Sequence, residues 1–321
     1  MGGSEKIPLL VIAGPTACGK TALGIQIAKA LRGEVVSADS MQIYRGMPIA
    51  TAQPSLEETR GVPHHLIGVL DPSQRCSAAR YCAMAHNAIQ DIHKRGNLPI
   101  MVGGTGLYIE SVACGRRWAK SETDEAAREA IQKRIAQEGG ETLWRELQAI
   151  DPQAAKRIHP HDGKRLTRAL ELAGQGMTIT EQNAFSHPPI LPYRAKMLLI
   201  LPRDRQILYD RINRRTERML QNGLLEEART LRERGVSQTA AQAIGHKELN
   251  AYFAGEVSLD EAIERIQRET RRYAKRQISW FSRMAREWNE HAANSCITYA
   301  MENLREDEAI ATAGEATADE S

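Results

Sequence analysis

Apolar positions recur along this chain in two rhythms. Short unbroken runs appear at Ile7–Ala13 (IPLLVIA), then as EVVSAD, HLIGVL and LPIMVGG and, much later, as AKMLLIL near Lys196. Runs of this length bounded by glycine and polar residues predict buried strands. Between the early runs the apolar residues return every three or four positions. Leu23, Ile27 and Leu31 do so within Lys20–Leu31, and Ala79–Lys94 is a second example; both predict helices with one buried face. Strand and helix in alternation predict a parallel sheet with helices on both faces and a ligand at the carboxyl ends of the strands. From Lys120 to Pro189 the strand rhythm stops. That Glu/Arg/Ala/Gln-rich segment predicts several helices and closes on SHPPILP, read as a proline-rich hinge.

Composition changes this picture little, and charge changes it more. The 321 residues are 42% hydrophobic and 26% charged, ordinary for a globular chain that can bury one large core or two modest ones. No run has the length of a membrane span, and MGGSEK lacks a signal peptide's apolar stretch. The five cysteines form no C-x-x-C pair, which predicts reduced thiols in a cytoplasmic protein. The net charge of +3 hides an asymmetry: residues 302–321 hold seven acids and one arginine, so the remainder carries +9. That tail is expected to be disordered, and the basic body suits a polyanionic partner.

The first run leads directly into GPTACGKT, of the form G-x-x-x-x-G-K-[ST]. Such a loop, between a strand and a helix, cradles phosphates with backbone N–H groups and the helix N-terminus. Its members here are Gly14, Pro15, Thr16, Ala17, Cys18, Gly19, Lys20 and Thr21, with Lys20 adding a mobile charge and the Thr21 hydroxyl suited to Mg²⁺. The expected fold class is therefore α/β: a P-loop NTPase-like parallel sheet flanked by helices, with an all-helical insertion domain. We assign 1–116 and 197–301 to the catalytic core, 117–196 to the insertion and 302–321 to the tail.

The loop binds phosphates without saying which. Three further stretches bear on that. SADSMQIYRGM puts Asp39 at the end of the second strand, where a carboxylate could ligate Mg²⁺, accept a proton from a nucleophile or merely cap a helix. MVGGTGLY offers the Thr105 hydroxyl beside Gly103, Gly104 and Gly106, which leave room for a ligand to approach the backbone. HPHDGKRLTRALEL lies in the helical segment; its histidines lack the companions of a metal site. Later, Arg211, Arg215 and Arg218 share one helical face, and Arg265–Arg286 holds eight basic residues interleaved with Tyr273, Trp280 and Phe281.

Taken in order with PHHLI, AIGHKE and TRRYAKRQISWF, these motifs resemble the bacterial tRNA dimethylallyltransferase family from about residue 7 to residue 285. His246 departs from the family's more frequent tyrosine. The resemblance implies a monomeric cytoplasmic enzyme that moves a dimethylallyl group from dimethylallyl diphosphate to the exocyclic amine of an adenine. That adenine lies 3′ of the anticodon, at position 37, in tRNAs reading codons that start with U. It implies Asp39 as base or orienting group, Lys20 and Thr21 with Mg²⁺ on the diphosphate, and an arginine matched by Arg215, with Arg211 as the alternative. It places contacts with the tRNA anticodon stem-loop on Asp39, Ser40, Met41, Gln42 and Thr105, and on Gly163, Lys164, Arg165, Leu166 and Thr167. Three rivals stay open: a P-loop small-molecule or nucleotide kinase that binds ATP, an adenylate prenyltransferase, and an NTP-driven RNA-binding switch using Asp71.

Overall fold

A computed structural model describes residues 6–116, 125–186, 192–289 and 295–301. The chain divides into two compact units, one comprising Met1–Ala113 with Pro192–Ser321 and the other Cys114–Leu191. The expected tail and most of the SHPPILP hinge lie outside the described residues.

The first unit is built on six strands: β1 Pro8–Ala13, β2 Gly33–Ala38, β3 His64–His65, β4 Leu98–Gly103, β5 Arg194–Leu201 and β6 Ser295–Ala300. They pair in the order β3-β2-β4-β1-β5-β6, every pair parallel. The central strands are apolar throughout because helices cover both faces; Leu9 to Ala13 and Leu198 to Ile200 are each 2% exposed or less. The register matters most for function. Ala13 of β1 and Ala38 of β2 both pair with Gly103 of β4, so three adjacent strands end level. The residues that follow them, Gly14, Asp39 and Gly104, therefore emerge side by side at one edge of the sheet, where the strand order skips.

Two differences from expectation concern strands. HLIGVL is not a strand: only His64–His65 pairs, in β3, and Leu70 makes a single bridge with Tyr44. Leu66 at φ 63° and Gly68 at φ 59° turn the chain out of extended geometry. Conversely, SCITYA forms β6 beside β5, although its mixed polarity gave no strand signal. The helices Lys20–Ala30 and Ala78–Lys94 lie within a residue of their expected bounds. Ser77 caps the second by accepting from the Arg80 N–H. A long helix, Leu259–Asn289, follows and sends Ala274, Gln277, Phe281 and Trp288 into the interior.

The second unit is helical in its described residues: Glu125–Glu138, Gly140–Ile150, Pro152–Ala155, Gly163–Gly174 and Ile179–Phe185. Leu143, Leu147, Ile158, Leu166 and Leu170 form its own core. The Trp144 indole N–H closes that core by donating to the carbonyls of Ile158 at 2.8 Å and Ala155 at 3.1 Å.

Candidate functional site

The phosphate loop takes its shape from its sequence. At Gly14 the Ile200 carbonyl approaches so closely that any Cβ would overlap it. Ala17 at φ 64° and Gly19 at φ 97° are left-handed and wind the backbone into an anion-sized concavity. For the alanine this costs on the order of 1–2 kcal/mol, strain of the kind stored at functional loops. The helix beginning at Lys20 has no acid in its first turn, so its positive end is not neutralised. Lys20 Nζ folds back to donate to the Pro15 carbonyl at 2.6 Å and reaches Cys18 Sγ at 3.8 Å. Thr21 is exposed, while Pro15 and Cys18 are buried.

Two residues from far along the chain fix this loop. The Thr16 N–H donates to Gln277 Oε1 at 2.8 Å, and the Thr16 hydroxyl accepts from Arg215 Nη1 at 3.2 Å. Arg215 lies on the helix Arg205–Gln221. Burial pulls its pKa down, and the negative charge of Asp39 opposes that shift. Arg215 thus bonds to the phosphate loop while the charge of the carboxylate at the end of β2 acts on it.

Asp39 begins a tight turn. Its Oδ1 accepts from the N–H groups of Met41 at 2.8 Å and Gln42 at 3.2 Å, and Oδ2 makes no hydrogen bond within the described residues. Ser40 N–H donates to Thr105 Oγ1 at 3.0 Å, and Thr105 N–H donates to the Ala38 carbonyl at 3.0 Å. The Gln42 amide is spent internally, between the Ser37 hydroxyl at 2.9 Å and the carbonyls of Thr51 and Ala52. Beneath this turn Tyr81 donates to the Ser37 carbonyl at 2.9 Å and stacks on Tyr108 with ring centroids 3.8 Å apart. The Tyr273 phenol lies against Thr105 and Gln277; burial, aided by the Asp39 charge, pushes its pKa up, so it stays a neutral donor.

Oxygen donors for Mg²⁺ are present in the exposed Thr21 hydroxyl and the uncommitted Asp39 Oδ2. No group of three or more His, Cys, Asp or Glu that could hold a metal exists among the described residues. An ion there would complete its shell with substrate oxygens and water, the usual habit of Mg²⁺. Asp71, the carboxylate of the switch alternative, is committed to a turn instead, accepting from Ser73 N–H at 2.9 Å and Ser73 Oγ at 2.6 Å. His246 is committed too: its Nε2 meets Glu227 Oε1 at 2.8 Å, and Glu227 also accepts from the N–H groups of Ile49 and Ala50.

Residues 163–167 belong to the helical unit. Asp162 caps their helix through the Arg165 N–H at 3.1 Å, and its other oxygen meets Arg165 Nε at 3.3 Å. Lys164 and Arg165 are exposed. Leu166 and Thr167 are buried, the latter donating to the Gly163 carbonyl at 2.7 Å, so their side chains serve the unit's core.

The glycines of MVGGTGLY have a role other than the one expected. A Cβ at Gly103 would overlap Ala38, one at Gly104 the Gln277 amide, and one at Gly106 the Trp280 ring. The space they leave is filled by protein. Gln277, Tyr273 and Trp280 were not among the candidate site residues. Tyr273 and Trp280 stood out only as aromatics of a basic helix, and the signal for Gln277 was its i, i+4, i+7 spacing with them along one face.

A family model described as IPP transferase matches residues 42–284. A tRNA dimethylallyltransferase of Exiguobacterium sp. is 46% identical over 278 residues, covering 86% of this chain and 88% of that protein. The Bacillus subtilis enzyme of that name is 45% identical over 279 residues, with 87% and 88% covered. Among solved structures, the tRNA isopentenylpyrophosphate transferase of Bacillus halodurans aligns at TM-score 0.67 and 39% identity, over 97% of each chain. A eukaryotic dimethylallyltransferase acting on tRNA aligns at TM-score 0.82 and 29% identity, over 98% of this chain and 80% of that one.

Proposed function

The chain belongs to the IPP transferase family, and from that premise we propose that it transfers a dimethylallyl group from dimethylallyl diphosphate to the exocyclic amine of a tRNA adenine. We assign that adenine to the position 3′ of the anticodon, position 37, in tRNAs reading codons that begin with U. One observation carries the chemical reading: Arg215 donates to Thr16 of the phosphate loop while lying in the field of Asp39. A diphosphate cradle and an uncommitted carboxylate oxygen share one locus, as an alkylation with a diphosphate leaving group requires.

The adenine N6 attacks the allylic carbon as the bond from that carbon to the diphosphate oxygen breaks. Negative charge grows on the leaving oxygen and positive character on the carbon. The loop N–H groups and the Arg215 guanidinium would meet that oxygen charge, joined by Lys20 once its ammonium swings from the Pro15 carbonyl, in a site where such donors count most. An adenine amine is a weak nucleophile because its lone pair is delocalised into the ring. Asp39 is held by its Oδ1 bonds with Oδ2 unbonded among the described residues, which suits orienting the amine and taking its proton as the C–N bond forms. Mg²⁺ on Thr21 and the diphosphate would add charge neutralisation to the leaving group.

The adenine reaches this site turned out of its stack, at a cost of a few kcal/mol. Backbone contacts by Lys164 and Arg165, with Ser40, Met41 and Gln42 around the flipped base, offset it. We place the protein in the cytoplasm, as a monomer, because its proposed tRNA substrate is there. The test supplies radiolabelled dimethylallyl diphosphate, ATP and GTP together with bulk tRNA or AMP. Prenyl label on tRNA is the expected result. Label on AMP, or phosphoryl transfer from ATP, would replace this reading with one of its rivals.

A further inference from the structure

We propose that Gln277 is a positioning residue that holds the phosphate loop and the Thr105 turn in register, so that leaving group and attacking amine stay aligned during prenyl transfer. The inference rests on the reaction proposed above.

Gln277 is 5% exposed, and both ends of its amide are used: Oε1 accepts from Thr16 N–H at 2.8 Å and Nε2 donates to the Gly104 carbonyl at 2.8 Å. The first partner follows β1 and belongs to the diphosphate cradle. The second follows β4 and immediately precedes Thr105, whose hydroxyl fixes Ser40 beside Asp39. One side chain therefore bonds to both loops. Arg215 reaches the phosphate loop at Thr16, and Thr105 reaches the Asp39 turn; Gln277 joins the two sets.

The surroundings favour this single arrangement. Gly104 lacks a side chain where the Gln277 amide lies, and Gly106 lacks one where Trp280 lies, one helical turn further on. The Tyr273 phenol, one turn earlier, touches both Gln277 and Thr105. Because Gln277 takes the Thr16 N–H, that donor serves alignment, and the phosphate is left to the later N–H groups of the loop. A buried amide left with either end unmade carries a desolvation penalty, which opposes sliding of one loop past the other.

The test compares Gln277→Met, which fills the space without either bond, and Gln277→Glu, assayed at alkaline pH so that it is ionised, keeping the acceptor for Thr16 and losing the donor to Gly104. Both variants should slow single-turnover prenylation at saturating substrates by about 10²-fold, the cost of misplacing a reacting group by an ångström, with tRNA affinity unchanged. Amide hydrogen exchange gives a readout independent of activity. In the wild type, inorganic pyrophosphate should protect peptides covering both 14–21 and 103–106; in Gln277→Met it should protect the first alone. A near-wild-type rate for Gln277→Glu, a rate loss no greater than the loss of folded protein on melting, or pyrophosphate protection of both peptides in Gln277→Met would overturn the bridge. Failure of the wild type to label tRNA would instead remove the proposed reaction, while the exchange measurement still decides the bridge.

Discussion

The α/β unit and the helical unit spend their polar side chains differently. At the carboxyl edge of the sheet, Asp39, Arg215, Gln277 and Thr105 are each committed to a hydrogen bond, and the partners of the last three lie 65 or more residues away in sequence. In the helical unit, the exposed Lys164 and Arg165 stand on the first turn of one helix, and Arg165 pairs within its own turn. Bond-making needs groups held to a fraction of an ångström; gripping a polyanion needs charge at roughly the right place. The first unit therefore should respond to substitution in rate, and the second in salt dependence.

The largest expected effect is at Asp39. Asp39→Asn keeps the shape and can still hydrogen-bond but accepts no proton at neutral pH, and the single-turnover rate should fall by about 10²–10⁴-fold. Donor and tRNA affinities should change far less. Weakened donor binding rescued by extra Mg²⁺ would mean that the carboxylate serves the metal; an unaltered rate would leave it a turn cap.

Lys20→Ala comes next. Turnover should fall by about 10²–10³-fold, as when one oxyanion donor is removed, while tRNA affinity holds. Loss of tRNA binding with intact donor binding would reverse the division between the units.

A smaller effect sits at the amino end of the sheet, away from the chemistry. The Glu34 carboxylate is held down to about 2 chiefly by Arg95, with Asn97 and His65 adding to it against the cost of burial. Its folded pKa lies below its unfolded value of about 4.5, so its stabilisation is full above that value and fades as pH falls toward 2. Melting temperature should drop over that window, and Glu34→Gln should flatten the drop while lowering stability at neutral pH. Equal acid sensitivity in both proteins would show that other carboxylates govern it.

The smallest effect is expected at Arg165. Arg165→Ala should weaken tRNA binding modestly and reduce the slope of log K against log salt by about one. An unchanged slope would mean that Arg165 serves only its contact with Asp162.

What was legible in the sequence follows the range of the interactions. The phosphate loop and the Asp39 turn are local, since Lys20 to Pro15 and Asp39 to Met41 span a few residues, and motif and chemistry coincide there. Gln277 was hidden because its partners lie 261 and 173 residues away. The glycines at 104 and 106 were visible but their occupants were not, so space kept for Gln277 and Trp280 was read as space for a ligand. HLIGVL misled because an apolar run does not reveal that Leu66 is left-handed. β6 escaped because its pairing partner, β5, is about a hundred residues earlier, and edge strands carry weak hydrophobic patterns.

The span between Thr16 and Gln277 also has a meaning in time. A ribosome adds about 5–20 residues per second, so the phosphate loop emerges on the order of ten to fifty seconds before the amide that accepts its first N–H. During that interval the loop sequence exists without the side chain that ties it to the turn holding Ser40. A chain cut short before the last long helix lacks the brace between the phosphate loop and the Thr105 turn. Alignment of the two loops waits for the helix that carries Gln277 to close over the glycines.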